Sequence, residues 1–169
     1  MRFNSLQIPA FGSFTNLDLR FPSERGDFHL IFGPNEAGKS CLLRAMGDFL
    51  FGIPPKSSDD FLPDYGSLRI KGEIENAAGQ RLALQRRKGN KNTLLDAAGQ
   101  AISESGLAPY LGSIDRDYFS AMFGLGAREL AEGAQQLLLG QGEMGQALFS
   151  ASMGGTPVQK IVDALLAED

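Results

Sequence analysis

The chain has 169 residues, 43% hydrophobic and 21% charged, with 16 Lys+Arg against 20 Asp+Glu for a formal net charge of -4; this fits one globular domain with a proper core and argues against bulk nucleic-acid binding through overall charge. No apolar run approaches the roughly 20 residues of a membrane-spanning helix and the N-terminus lacks a signal-peptide core, so a cytoplasmic protein with no membrane segment is expected. A single cysteine, Cys41, and a single histidine, His29, exclude an internal disulfide and a His/Cys metal cluster, which leaves oxygen-bound metal.

Residues 1–8 (MRFNSLQI) and 15–21 (TNLDLRF) alternate apolar and polar side chains around Gly12-Ser13, which predicts a β-hairpin. Residues 27–32 (DFHLIF) are short, mostly apolar and followed at once by Gly33-Pro34, which predicts a buried strand ending in a loop. From 39 to 51 the residues Leu42, Leu43, Ala45, Met46, Phe49 and Leu50 recur at helical spacing, and Gly52 with Pro54-Pro55 stops the helix. Together, residues 1–52 form a first segment of strands, loop and helix.

Residues 53–104 form the second segment. Residues 53–66 hold three prolines and a serine-aspartate cluster, an irregular surface stretch in which Asp59, Asp60 and Asp64 are solvated or hold metal. Period-two alternation over 67–76 and 80–88, with shorter strands at 92–96 and 101–102, predicts a β-meander, and the tetrapeptide Ala-Ala-Gly-Gln recurs at its turns, at 77–80 and 97–100. Residues 105–169 turn helical, with helices at 107–111, 115–123, 127–139, 143–151 and 156–167 separated by glycines. The last starts at Thr156-Pro157 and carries an apolar stripe, Val158, Ile161, Val162, Leu165 and Leu166, which needs a partner surface.

The octet Gly33-Pro34-Asn35-Glu36-Ala37-Gly38-Lys39-Ser40 satisfies GxxxxGK[ST]; at this chain's residue frequencies a chance match has a probability of roughly one in a hundred. It lies between an apolar run and an amphipathic helix, where a phosphate-binding loop belongs, because a helix N-terminus presents unpaired N–H groups and a positive dipole end. Gly33 and Gly38 permit close backbone approach, so the amides from about Asn35 to Cys41 can face phosphate oxygens. Lys39 supplies a point charge between the β- and γ-phosphates, Ser40 a hydroxyl for Mg²⁺, and Asn35 a contact on the γ-phosphate side. Glu36 is tolerable beside a triphosphate only if it faces outward. Cys41 reads as small, buried and not catalytic.

The stretch HLIFGPNEAGKSCLLRAMGDFLFGIP resembles the P-loop region of SMC-like ABC-type ATPases, and most of all the YhaN-type AAA domain, which shares GPNEAGKS, an LFG-I-P segment, a DFLPDY-like stretch, a basic KGNKNTLLD strand and a later FGL. The resemblance covers nearly the whole chain. It implies an α/β P-loop NTPase fold, the N-terminal lobe of an ABC/SMC-like ATPase head: a mixed sheet around the P-loop, an antiparallel β layer and C-terminal helices leading towards a coiled coil. It implies ATP and Mg²⁺ as cofactors, Lys39 as a catalytic residue, and a glutamine that contacts Mg²⁺ and water. Gln141, in Gly140-Gln141-Gly142-Glu143, is the candidate, with Gln135 and Gln136 behind it; an exposed turn is the other reading. Phe11, Ser13 or Phe14 would lie near the base, unless these aromatics are core.

Heads of this family take a Walker B strand and a signature from a C-terminal half. Neither pattern occurs in the sequence, so an N-terminal lobe of low intrinsic hydrolysis is expected, with the C-terminal half and a second head in a homodimer as partners. Residues 66–100 carry a net charge of +4 and residues 101–169 one of -6. Arg86, Arg87, Lys88 and Lys91 cluster at a hairpin end, where they contact DNA phosphates or form a solvated strand tip. Two rival functions are a small-molecule kinase, whose lid would need more arginines than Arg116 and Arg128, and a partner- or nucleic-acid-binding module with a structural P-loop.

Overall fold

Alternation at the start of the chain closes on itself. β1 (Arg2–Phe11) and β2 (Phe14–Arg20) pair antiparallel, with Phe11 opposite Phe14. The computed structural model describes residues 1–22 and 28–123, all within one unit, Met1–Gly124. β3 (Arg69–Glu75), β4 (Arg81–Arg87) and β5 (Leu94–Asp96) add a meander, giving one five-stranded antiparallel sheet in the order β2-β1-β3-β4-β5. The repeated tetrapeptide makes the same turn twice. Asn76 Oδ1 accepts from the amides of Ala78 and Gln80 at 3.0 Å, and Asp96 Oδ1 accepts from those of Ala98 and Gln100 at 2.9 and 2.8 Å. A side-chain oxygen ahead of Ala-Ala-Gly-Gln thus satisfies the amides that the reversal exposes.

Register sorts the side chains by face. Leu6 lies opposite Gly72 and Gly72 opposite Leu84, while Ile70 faces Arg86 and Arg86 faces Leu94. These positions, with Ile8 and Ile74, turn towards α1 (Lys39–Phe51), whose Leu42, Ala45, Phe49 and Leu50 are buried. Ser5, Gln7, Lys71, Glu73 and Gln85 alternate with them and leave the opposite face polar, as an antiparallel sheet with one solvated side permits. Gly72 is what lets the helix approach: a Cβ there would lie 2.7 Å from Ser5 O and 3.0 Å from Phe49 Cζ. Each large side chain buried in this layer contributes about 1.5–3 kcal/mol.

The C-terminal end of α1 leaves carbonyls without intrahelical partners, two arginines take up those of Phe49, Leu50 and the C-cap Gly52, and a lysine holds the chain just beyond. Arg86 donates to Phe49 O at 2.9 Å and Leu50 O at 2.8 Å, Arg116 donates to Gly52 O, and Lys88 Nζ donates to Pro54 O at 2.7 Å. Arg116 opens α3 (Arg116–Phe123), which follows the short α2 (Ala108–Leu111) and packs Phe119 on Phe51, ring centres 5.6 Å apart. Among the described helices none is long and apolar enough to cross a membrane.

Two expectations are corrected. Described residues 28–32 are not a strand and not buried: Phe28 is 85% and Phe32 87% exposed, and Leu30 and Ile31 are exposed too. An apolar run becomes a strand only beside another strand that takes its amides and carbonyls, and no described strand runs next to it. The sheet of the described residues is accordingly antiparallel throughout rather than mixed. The helices expected at 127–139, 143–151 and 156–167 lie outside the described residues.

Buried charge at α1 also sets a pH dependence. Burial pushes the Asp48 carboxyl above its ordinary value, and the Arg116 guanidinium, 2.8 Å away, offsets part of that rise. The folded chain therefore holds this proton more tightly than the unfolded chain, so stability falls as pH rises from the ordinary carboxylate value through the raised folded one. Glu75 works in the opposite sense: hydrogen bonds from Asn4 and Arg81 lower its pKa, and its contribution is lost as pH falls through the folded value. Asp48→Asn is expected to remove the first slope and keep the second, measured as urea midpoints between about pH 3 and pH 7. Identical slopes in wild type and variant would contradict the assignment.

Candidate functional site

The octet wraps the N-terminus of α1. Gly38 is the N-cap residue and sits at φ 89, a left-handed conformation that a side chain disfavours; a Cβ there would also lie 2.6 Å from Phe14 Cζ and 2.9 Å from Ser13 Oγ. Glycine at this position thus answers both the turn of the loop and the closeness of the β1–β2 turn. Gly33 closes the other side, where a Cβ would approach Ala37 Cβ at 3.0 Å. Lys39 spans the opening: its Nζ donates to Gly33 O at 2.8 Å and Pro34 O at 2.7 Å. Glu36 is exposed with φ 67, in keeping with a carboxylate kept outside the loop.

Chemically, this arrangement can receive an anion. Gly38 has no side chain to cap the helix and the first turn carries no acidic residue, so the leading amides of α1 meet no competing acceptor from its own start. Lys39 and Ser40 are exposed in that first turn, one offering an ammonium group and the other a hydroxyl oxygen. The residues fit a Mg²⁺-bound polyphosphate: a helix start with no side-chain cap and no acidic residue in its first turn, one cation and one hard oxygen donor. Gly33, Pro34, Asn35, Glu36, Ala37, Gly38, Lys39, Ser40 and Cys41 are brought together here.

Beneath the cradle lies a buried polar cluster for which the sequence carries no periodic signal. Asp59, 3% exposed, accepts from Arg44 Nε at 3.0 Å and Nη2 at 2.6 Å, and its carbonyl accepts from Gly12 N at 2.7 Å. The Cys41 thiol donates to Asp59 Oδ1 at 3.6 Å, and burial pushes its pKa up, so it is an inert packing group. Asp59 is therefore a structural anchor rather than a solvated or metal-binding carboxylate.

Other candidates fall differently. Phe11 is fully buried in the core and is removed from the base-contacting set, whereas Ser13 and Phe14 stand against Gly38. Gln141, Gln135 and Gln136 lie outside the described residues. Of the four hairpin cations, Arg86 is fully buried and Lys88 is buried over the Tyr65 ring, 4.6 Å from its centre; neither is free to meet phosphates. The signal was in the alternation: Arg86 and Lys88 share the parity of Leu82 and Leu84, the inward face. Lys91 is exposed, and Arg87, half-buried, donates from Nε to Asn92 O at 2.9 Å.

A family model described as an AAA domain matches residues 1–169, the full sequence. No curated protein matches the chain.

Proposed function

The chain belongs to the AAA-domain family, which gives it a nucleotide-binding, ATPase-like function, and from that premise we propose that it is the ATP–Mg²⁺-binding N-terminal lobe of an SMC-like coiled-coil ATPase head. The observation that carries this reading is the octet itself, folded around the uncapped start of α1 with the Lys39 ammonium drawn across it. Lys39 exchanges its two carbonyl partners for β- and γ-phosphate oxygens, the backbone from Asn35 to Cys41 faces the polyphosphate, and the Ser40 hydroxyl holds Mg²⁺. Bound Mg²⁺ neutralises charge on the terminal phosphates, and the chemistry is otherwise positioning and electrostatic stabilisation. Gln141 is the residue proposed to orient water.

The exposed run Phe28–Phe32 supports the remainder of the proposal. A groove of about 350 Å³, mostly apolar but with Arg2 in its wall beside Phe3, Phe21, Phe28, Ile31 and Met46, adjoins it. An exposed apolar run that leads into a phosphate-binding loop and pairs with no described strand is what a lobe completed by a C-terminal half would present. In the complete protein, a homodimer of heads would enclose the nucleotides. DNA contact, if the basic hairpin makes it, rests on Arg87 and Lys91.

Titration with ATP and Mg²⁺ tests the reading. Lys39→Ala is expected to weaken Mg²⁺-dependent ATP binding tenfold or more, about 1.4 kcal/mol, with little change in thermal midpoint because the side chain is exposed. A wild-type chain with no Mg²⁺-dependent affinity for ATP would overturn it in favour of a structural P-loop.

A further inference from the structure

The segment between α1 and β3 has no regular element before the 3-10 turn Tyr65–Ser67, yet it is fastened along its length. Near its start, Pro54 O accepts from Lys88 Nζ at 2.7 Å and Pro55 O accepts from the Tyr65 hydroxyl; at its middle, Asp59 is locked to Arg44 and to Gly12 N. Two residues beyond that lock stands Phe61, 59% exposed. Its Cε1 lies 3.5 Å from the position a Cβ would take on Gly12, at one side of the β1–β2 turn; Ser13 and Phe14 of that turn touch the Gly38 corner of the cradle. A large aromatic ring is thus held out to solvent, on a pinned backbone, next to the turn that borders the phosphate loop.

Resting on the nucleotide reading above, we propose that Phe61 is the base-contacting wall of the site: its ring stacks on the base of the bound nucleoside triphosphate, and the Asp59–Arg44 clamp is the positioning device that presents it. The physical argument is one of order. Stacking contributes more when the ring does not have to be ordered at the moment of binding, and the bidentate bond from the half-exposed Arg44 to the buried Asp59 fixes the chain two residues away. The surface is an open aromatic face without a hydrogen-bonding edge, so it adds affinity for any nucleobase and leaves discrimination among bases to polar groups. Asp59 touches no nucleotide; it acts through Gly12, Cys41 and Phe61.

The test separates the base from the phosphates. The full chain is titrated with ATP and with inorganic tripolyphosphate, each in Mg²⁺, and folding is checked by circular dichroism. Phe61→Ala is expected to weaken ATP about tenfold while leaving tripolyphosphate binding unchanged, and Phe61→Trp to restore ATP. Asp59→Asn, which keeps size but removes the charge that fixes Arg44, is expected to weaken both ligands, because Asp59 also touches Cys41 in the first turn of α1, with the larger loss for ATP. Retention of full ATP affinity in Phe61→Ala, or equal losses for both ligands, would overturn the inference while the nucleotide reading stands. A wild-type chain that binds neither ligand overturns the nucleotide reading and this inference with it.

Discussion

Arg86→Met is expected to cost about 3–5 kcal/mol of unfolding free energy and to lower the thermal midpoint by about 15 °C. Arg86 sits in the sheet between Ile70 and Leu94, where packing alone would favour an aliphatic side chain. Its guanidinium is fully buried and makes four hydrogen bonds, two to Phe49 O and Leu50 O and two to the Glu104 carboxylate. Methionine fills similar space, so the loss comes from two buried carbonyls left without donors at the negative end of α1. Glu104, with its side chain 63% exposed, regains water when the arginine is gone and adds little to the cost. Glu104→Gln should therefore be much milder than Arg86→Met. Urea unfolding followed by circular dichroism measures both; a loss under about 1 kcal/mol for Arg86→Met would show that water replaces the guanidinium and that the capping account is wrong.

Reading Arg86 correctly needed the sheet. As a string, residues 86–91 are a cluster of positive charge; as a strand, alternate members belong to opposite faces, and only parity with Leu82 and Leu84 tells which. α1 was legible because its determinants are local: helical spacing of apolar residues, a glycine at each end and prolines just beyond. The meander turns were legible for the same reason, since Asn76 and Asp96 satisfy amides within four residues. Residues 28–32 were not, because a strand is a relation between two segments and the sequence of one cannot supply the other. Asp59 was illegible too. Its burial depends on Arg44 and Gly12, partners 15 and 47 residues away, and nothing in a serine-aspartate loop distinguishes an anchored carboxylate from a solvated one.

The anchored carboxylate and the cradle share a single corner of the fold. Cys41 follows Ser40 directly, its thiol touches Asp59, and Gly12 lies against both. Displacing any of the three moves the first turn of α1, on which the proposed phosphate contacts depend. The helix thus has its N-terminal end packed on a glycine and its far end held by Arg86 and Arg116. Strain introduced at the glycine has no slack along the helix to absorb it.

Gly12→Ala tests that corner. The residue sits at φ 57, where a side chain costs about 1–2 kcal/mol, and the new Cβ would collide with Cys41 Sγ and reach 3.0 Å from Asp59 Oδ1. Overpacking of this kind costs a further 1–3 kcal/mol or so, and because the obstacle is Cys41 the loss should appear in ATP affinity as well as in stability. Gly79→Ala is the control: Gly79 has φ 78 but nothing within 4 Å of its Cβ position, so it reports the backbone cost alone. Gly12→Ala is expected to exceed Gly79→Ala by the steric amount, and Cys41→Ala in the same chain to recover much of the excess, a coupling read from a double-mutant cycle of unfolding free energies and ATP titrations. Equal losses at Gly12 and Gly79, with no recovery on removing the thiol, would mean that the corner yields freely and that the cradle is not held from below.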